Sequence, residues 1–238
     1  MSEVLFVGQI IGSGFRRADP DKMAAVKDMT APVNKKQVRQ VVGFFSYFRE
    51  FIPDFAQYAF PLTELTKKGA PDKVVWGSRE QEAFDKLKAL LIEAASSTRL
   101  TIIDCTKPFS ICVDASDYAV AATVAQQDEN NRARPVAFAS VKLSSAQCKW
   151  ATVEKEAYAA IWALQKFQRW FFWCPVTVFS DHNPLTFLTQ ASPRSSKLMR
   201  WTLALSEFNV TFKFKEGISN TAADCLSRIG PHPIPSTE

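Results

Sequence analysis

The sequence predicts an α/β domain built on a mixed five-stranded sheet flanked by helices, with a small, mainly helical unit before it. Residues 20–100 carry apolar side chains at helical spacings, whereas the residues after 100 alternate apolar and polar side chains in short runs. Strand and helix signals then follow the order β β β α β α β α, which places a parallel crossover after an antiparallel meander. With 238 residues, 47% of them hydrophobic, the chain can form a core in each part.

The first hundred residues divide into a hairpin and the helical unit. Residues 1–19 alternate apolar side chains and break at "GSG", which predicts a hairpin. Within residues 20–100, Asp19 and Asn34 precede helical patterns as N-caps, "AFPLTELTKKG" predicts a short third helix, and Ser78 is expected to cap a fourth, longer helix.

Residues 101–229 contain the signals of the sheet domain, and residues 230–238 are expected to form a linker tail. The runs "FSICVDAS", "AVAATVAQ" and "RPVAFASVKL" predict three antiparallel strands. A long helix is expected from about Ala151 to Phe172. The strand in "VTVFSDHNPL", the helix "SSKLMRWTLALSEF", the strand "VTFKFKEG" and a closing helix "TAADCLSR" follow.

Composition excludes several classes of protein. No apolar run reaches the roughly 18 residues that a membrane span needs, and the amino end lacks the features of a secretory signal, so we expect an intracellular protein. Five cysteines without a CxxC pair and only two histidines argue against structural zinc and a disulfide framework. The formal net charge of +5 permits a nucleic-acid partner without demanding one.

Four carboxylates occupy positions that the predicted fold can bring together. Asp114 and Asp181 end two strands, at the edge where α/β sheets place their chemistry, and Glu156 and Asp224 lie in the first turns of two helices. Acids gathered this closely repel each other unless a cation lies among them. Oxygen ligands without His or Cys select hard ions such as Mg²⁺ or Mn²⁺. Two such ions can activate a water and stabilise the leaving oxygen of a phosphodiester, so the pattern predicts metal-dependent phosphodiester hydrolysis.

Each acid taken alone also has a purely structural explanation. Asp181 is followed by Asn183 and Pro184, and it could cap the turn that they favour. Glu156 and Asp224 are of a residue type that the helix dipole favours near helix starts. Both explanations stay open for the single residues, and the joint arrangement of the four favours the metal site.

Six segments of residues 109–228 follow the order of a known family: "FSICVDASDYAVAATVAQ", "PVAFASVKLS", "WATVEKEAYAAIWALQKFQRW", "VTVFSDHNPL", "MRWTLALSEF" and "NTAADCLSR". They resemble the ribonuclease H domain of reverse transcriptases from gypsy-type LTR retrotransposons. "VLFVGQIIGSGFRRADPDKMAAV" resembles the last hairpin of the polymerase palm, the primer grip region. "VVGFFSYFREFIPDFAQYAFPLTELTKK" and "WGSREQEAFDKLKALL" resemble the thumb and connection that follow it.

The resemblance implies a ribonuclease H-like fold and hydrolysis of the RNA strand of RNA/DNA hybrids. Asp114, Glu156, Asp181 and Asp224 match the family's catalytic, metal-binding acids, which hold two Mg²⁺ ions or Mn²⁺ in their place. Glu156 is preferred to Glu154 because "EAYAAIWAL" matches the helix after the family's glutamate. The implied partners are an RNA/DNA hybrid and the remaining polymerase domains of the same polyprotein, in the cytoplasm within a virus-like particle or in the nucleus, with no membrane.

The sequence departs from the family in three respects. The fingers, most of the palm and the YxDD polymerase aspartates are absent, so no DNA synthesis is expected from this chain alone. Ala119 and Ala121 stand where family members commonly carry glycine, and alanine cannot replace a glycine that needs a positive φ. The loop "KEGISN" lacks the histidine that cellular relatives have before the last acid.

Basic and polar side chains predict a surface for the hybrid, which is recognised by its backbone and 2′-hydroxyls because its A-like geometry hides the sequence. The expected residues are Arg194, Lys197 and Arg200 on one helix, Lys35, Lys36 and Arg39 in the helical unit, and Ser116 and Asn183 near the acids. A solvated helix face explains the basic clusters about as well.

Two other functions fit parts of the pattern. A non-catalytic nucleic-acid-binding or assembly module, derived from a retired element copy, would keep the fold without the activity. Ala119 and Ala121 favour that alternative, whereas the presence of all four acids favours the enzyme. An integrase or transposase core is disfavoured because such cores use three acids.

Overall fold

The computed structural model describes residues 3–171, 174–180 and 196–214. These residues form nine strands and seven α-helices. The strands are β1 Val4–Phe6, β2 Gln9–Gly12, β3 Phe15–Ala18, β4 Leu100–Thr101, β5 Phe109–Ala115, β6 Ala119–Gln127, β7 Ala133–Lys142, β8 Val176–Ser180 and β9 Val210–Phe214. The helices are α1 Pro20–Lys27, α2 Lys35–Tyr47, α3 Phe55–Glu64, α4 Ser78–Ser97, α5 Thr152–Lys166, α6 Gln168–Phe171 and α7 Ser196–Leu205.

A small antiparallel sheet forms the amino end, in the order β1-β2-β3-β4. The hairpin predicted at "GSG" is β2–β3, and Gly14 in its turn has a φ of 80°, which glycine adopts without strain. β1 adds a strand before it, and β4 returns from the end of α4 to pair Thr101 with Phe15. The β3–β4 pair therefore joins the two ends of the segment that contains helices α1 to α4.

Side-chain caps start two of the helices as predicted. Asp19 accepts a hydrogen bond from the Asp21 N–H at 3.1 Å before α1, and Asn34 accepts one from the Gln37 N–H at 2.9 Å before α2. The prediction for α4 is wrong by one position, because Ser78 is its first helical residue and Gly77 is its N-cap. None of the helices in the described ranges combines the length and the apolarity that crossing a bilayer requires.

The second sheet has the predicted five strands and the predicted mixed directions. Its order is β7-β6-β5-β8-β9, with β5, β6 and β7 antiparallel and β8 parallel to both β5 and β9. α5 packs on one face, against Ile111, Val113 and Val120. The long helix is shorter than predicted, since α5 ends at Lys166 and α6 follows after Phe167.

The helical unit packs directly on this sheet through α3 and β7. Phe138 of β7 is 4% exposed and belongs to the core of the helical unit, whereas its neighbours Ala137 and Ala139 belong to the core under α5. The Ala56 N–H of α3 donates to Ser140 Oγ at 2.8 Å. The sheet is therefore covered on one face by α5 and, over β7, on the other face by the helical unit.

Candidate active site

Asp114 lies near the carboxyl end of β5, the central strand of the five. It stands opposite Ala121 of β6, and two residues earlier Cys112 stands opposite Phe179 of the parallel strand β8. Alternation along the strand puts the Asp114 side chain on the face opposite to Val113 and the α5 core. The carboxylate is partly exposed there.

Glu156, in the second turn of α5, reaches the backbone of the residue that follows Asp114. Its residue is 2% exposed, and its Oε1 accepts a hydrogen bond from the backbone N–H of Ala115 at 3.2 Å. A buried carboxylate needs such bonds because its desolvation is costly. This hydrogen bond holds the Glu156 carboxylate at Ala115, the residue that follows Asp114. Glu154, the less favoured alternative, is partly exposed and pairs with Lys197 instead.

The other two predicted acids, Asp181 and Asp224, lie outside the described residues, and β8 is described up to Ser180. In the described ranges no three His, Cys, Asp or Glu side chains meet in a metal-binding group, and these ranges hold only two of the four acids. The carboxylates of Asp114 and Glu156 are the hard oxygen donors that Mg²⁺ and Mn²⁺ prefer, so their chemistry fits such an ion.

A further carboxylate, Asp54, comes from the helical unit. It stands immediately before α3 in the left-handed region, with a φ of 52°. Burial, and secondly the negative charge of Asp114, raise the pKa of the Asp54 carboxyl from 3.8 to about 6. Sequence reasoning missed this residue because "FIPDFA" signals only a helix break, and nothing in the sequence links position 54 to position 114.

Replacing Asp54 with Asn is expected to stabilise the metal-free protein at neutral pH. The folded state binds the Asp54 proton more tightly than the unfolded state does. The free energy of unfolding of the wild-type protein therefore falls as the pH rises from about 4 through about 6. Asn tolerates the left-handed backbone as Asp does and carries no charge. At about pH 8 the variant should therefore gain about 1 to 3 kcal/mol in the free energy of unfolding, and near pH 3 almost nothing.

Thermal unfolding in EDTA across this pH range measures the effect. If the two proteins show parallel pH profiles, the Asp54 carboxyl does not have a raised pKa.

The two alanines that replace the family's glycines lie inside β6. Neither Ala119 nor Ala121 has a positive φ, so this backbone does not require glycine at these positions. Ala121 stands between Asp114 of β5 and Ser140 of β7 in one cross-strand row.

The predicted nucleic-acid residues fall into different environments. The Ser116 hydroxyl closes the turn between β5 and β6, accepting from the Ala119 N–H at 3.0 Å and donating to the Ala119 carbonyl at 3.0 Å. Lys35 is buried, and its ammonium donates to the carbonyls of Lys67 and Ala70 at 2.7 and 2.9 Å, which closes the turn after α3. Both side chains therefore have structural partners.

The remaining basic residues are distributed over two surfaces. Lys36 and Arg39 are exposed on α2, and Arg200 is exposed on α7, whereas Lys197 is partly buried. Asn183 and Arg194 lie outside the described residues. Binding of nucleic acid by these residues stays a prediction.

Known proteins are similar both to the sheet domain and to nearly the whole chain. Residues 104–208 match the family described as the RNase H-like domain found in reverse transcriptase. They contain Asp114, Glu156 and Asp181, and they include four of the five strands of the mixed sheet, β5 to β8, with helices α5, α6 and α7. This segment is an RNase H-like domain of the reverse transcriptase family.

Curated relatives extend the match to nearly the whole chain. The retrovirus-related Pol polyprotein from transposon opus of Drosophila melanogaster is 35% identical over 240 residues, which cover 97% of this chain and 24% of the relative. The Pol polyprotein from transposon gypsy of the same species is 32% identical, covering 94% and 22%. The Tf2-3 polyprotein of Schizosaccharomyces pombe is 31% identical, covering 98% and 18%. The chain is homologous to a segment of these transposon Pol polyproteins and spans about a quarter of their length or less.

Solved structures share the fold. The foamy viral protease-reverse transcriptase in complex with an RNA/DNA hybrid superposes with a TM-score of 0.75 at 19% identity, covering 99% of this chain and 31% of that one. The same viral protein in complex with double-stranded DNA gives 0.75 at 20% identity, covering 93% and 46%. The fold of this chain is therefore ribonuclease H-like, with helices in its amino-terminal part.

Proposed function

We propose that this chain hydrolyses the RNA strand of RNA/DNA hybrids endonucleolytically, in a metal-dependent reaction, as the ribonuclease H part of a retrotransposon reverse transcriptase. The observation that carries the proposal is the hydrogen bond from the Ala115 N–H to the buried Glu156 carboxylate, which holds that acid beside Asp114 in an RNase H-like domain. A buried carboxylate at a strand end costs stability, so its presence there is better explained by function than by folding.

Asp114, Glu156, Asp181 and Asp224 are the residues that would hold two divalent cations, Mg²⁺ or Mn²⁺. When bound, such ions supply an activated water and neutralise charge on the leaving oxygen. The chain's own contribution is a rigid arrangement of charge. The backbone hydrogen bond orients Glu156 before substrate arrives, and Asp54 adds a further carboxyl near Asp114, so that the negative potential favours a cation.

The substrate class rests on the fold and on the positive charge of the chain. The structures of the foamy viral protein contain an RNA/DNA hybrid or double-stranded DNA, and the formal net charge of this chain is +5. An A-like hybrid is recognised by its backbone and 2′-hydroxyls, for which exposed side chains such as Arg39 and Arg200 are suited. We therefore expect low sequence specificity, and we propose that the remaining domains of the polyprotein add to substrate binding.

The purified chain is expected to release fragments from a hybrid labelled on its RNA strand when Mg²⁺ is present. It should leave single-stranded RNA and double-stranded DNA largely intact. EDTA should abolish the cleavage, and equal cleavage with and without EDTA would end the proposal. If the chain binds the hybrid without cleaving it, even after the missing polymerase domains are added, the non-catalytic binding module replaces the enzyme.

A further inference from the structure

The ammonium group of one lysine in α7 is enclosed by two indole rings and a carboxylate. Lys197 Nζ lies 3.3 Å from the ring centroid of Trp150 and 4.8 Å from that of Trp201. It also donates to Glu154 Oε1 at 3.1 Å. The two indoles meet edge to face at a centroid distance of 5.8 Å, and Trp150 meets Tyr158 in the same way at 5.6 Å. We call Lys197, Trp150, Trp201 and Glu154 the lysine clamp.

The clamp joins two helices that are distant in sequence. Trp150 and Glu154 flank the start of α5, and Lys197 and Trp201 are one turn apart on α7. An ammonium over the face of tryptophan is attracted by the ring quadrupole, and the attraction grows as water is excluded. The Lys197 side chain is only 26% exposed, so the contact is largely shielded from solvent.

The clamp is one of the contacts made by the start of α5, where Glu156 lies. Three successive side chains of this helix each contact a different part of the domain. They are Glu154 with Lys197 of α7, Lys155 with Asp117 of the β5–β6 turn, and Glu156 with Ala115 of β5. In the Lys155–Asp117 pair the lysine is 7% exposed and the aspartate is 83% exposed. In the clamp both charged side chains are partly shielded, Lys197 at 26% and Glu154 at 39% exposed.

We propose that Lys197 is a positioning residue whose ammonium, held in the lysine clamp, fixes α7 against the start of α5 and so keeps Glu156 beside Asp114. The proposal concerns a residue that the sequence assigns to phosphate binding. The Lys197 ammonium is already engaged by Trp150, Trp201 and Glu154 within the protein, so we infer that it acts through Glu156 and not on the hybrid. Its effect on catalysis rests on the proposed function, whereas the clamp itself does not.

The clamp is tested first without any activity. In NMR spectra of the full chain, ring currents should shift the Lys197 ε-CH₂ protons upfield, and Trp150→Leu should move them most of the way back toward the ordinary lysine position, since the Trp201 ring lies farther away. Lys197→Met should speed hydrogen exchange of the α5 amides around Glu156 several-fold. Lys197→Arg should keep the slow exchange, because a guanidinium also stacks on indole and pairs with Glu154. Lys213→Met, which removes an exposed lysine of β9, is the matched control and should change neither quantity.

An ordinary chemical shift for Lys197, or equal exchange in wild type and Lys197→Met, overturns the clamp. If Lys197→Met folds poorly, Trp150→Phe, which shrinks the ring under the ammonium, provides the same comparison of chemical shifts. These measurements decide the clamp even if the chain cleaves no hybrid.

Kinetics then separate positioning from phosphate binding. As a positioning residue, Lys197→Met should lower kcat for hybrid cleavage several-fold, leave KM and its salt dependence unchanged, and be rescued by Lys197→Arg. A phosphate ligand would instead raise KM and reduce the slope of log affinity against log salt by about one. That second result would overturn the positioning role, as would an unchanged kcat.

Discussion

Asp114→Asn is expected to reduce hybrid cleavage at least about 100-fold, because even residues that only orient metal ligands cost 10 to 100-fold when they are replaced. Asn keeps the shape of Asp and removes the charge that a divalent cation would neutralise. In the metal-free protein the variant should be as stable as wild type or more stable, because the negative charge of Asp114 is one of the two causes that raise the pKa of Asp54. Cleavage with Mg²⁺ and melting temperature in EDTA measure the two effects.

Asp28→Asn, an exposed aspartate after α1, is the matched control and should change neither quantity. Near wild-type cleavage by Asp114→Asn would remove Asp114 from the active site. The same pair of measurements separates the two explanations of Asp181. If Asp181 is a metal ligand, Asp181→Asn should lose activity. If Asp181 caps a turn, Asp181→Asn should keep activity, and Asp181→Ala should lower the free energy of unfolding by about 1 kcal/mol.

Phe138→Ala is expected to lower the free energy of unfolding by about 3 to 5 kcal/mol, the usual cost of deleting a large buried aromatic side chain. The residue is on a strand of the RNase H-like sheet, yet its ring fills the core of the helical unit. The loss should therefore reflect the interface between the two parts. Phe6→Ala, at a strand residue that is 63% exposed, serves as the control and should cost less than about 1 kcal/mol.

Denaturant unfolding of both variants gives the comparison, and a Phe138→Ala loss as small as that of Phe6→Ala would mean that the interface does not form. A chain that lacks residues 1–95 has no helical core for Phe138 to enter. Phe138→Ala should then be nearly neutral in that shorter chain. The shorter chain should also bind hybrid more weakly, because Lys36 and Arg39 are removed with the helices.

Local chemistry encoded a large part of this fold. Asp19 and Asn34 begin helices because their side chains accept the free N–H groups of the first turn, a contact made within a few residues. The period-2 pattern around Asp114 and the helical pattern after Glu156 likewise specify which face of each element is apolar. Since the order of these elements places a parallel crossover after an antiparallel meander, the mixed five-stranded sheet could be predicted, and the structure places Glu156 against the residue that follows Asp114.

Contacts between distant residues were decided only when the elements packed. Ala137 and Phe138 are both apolar, and no local pattern says that one faces α5 and the other α3. Packing of α3 likewise brings Asp54 close enough to Asp114 for the negative charge of Asp114 to raise the pKa of Asp54. Packing also gives the ammonium groups of Lys35 and Lys197 their partners within the protein. A charged side chain has the same sequence signature whether it faces water, a carbonyl or an indole. Its partner depends on which surfaces exclude water together, and that is a property of the packed fold and not of any segment of the chain.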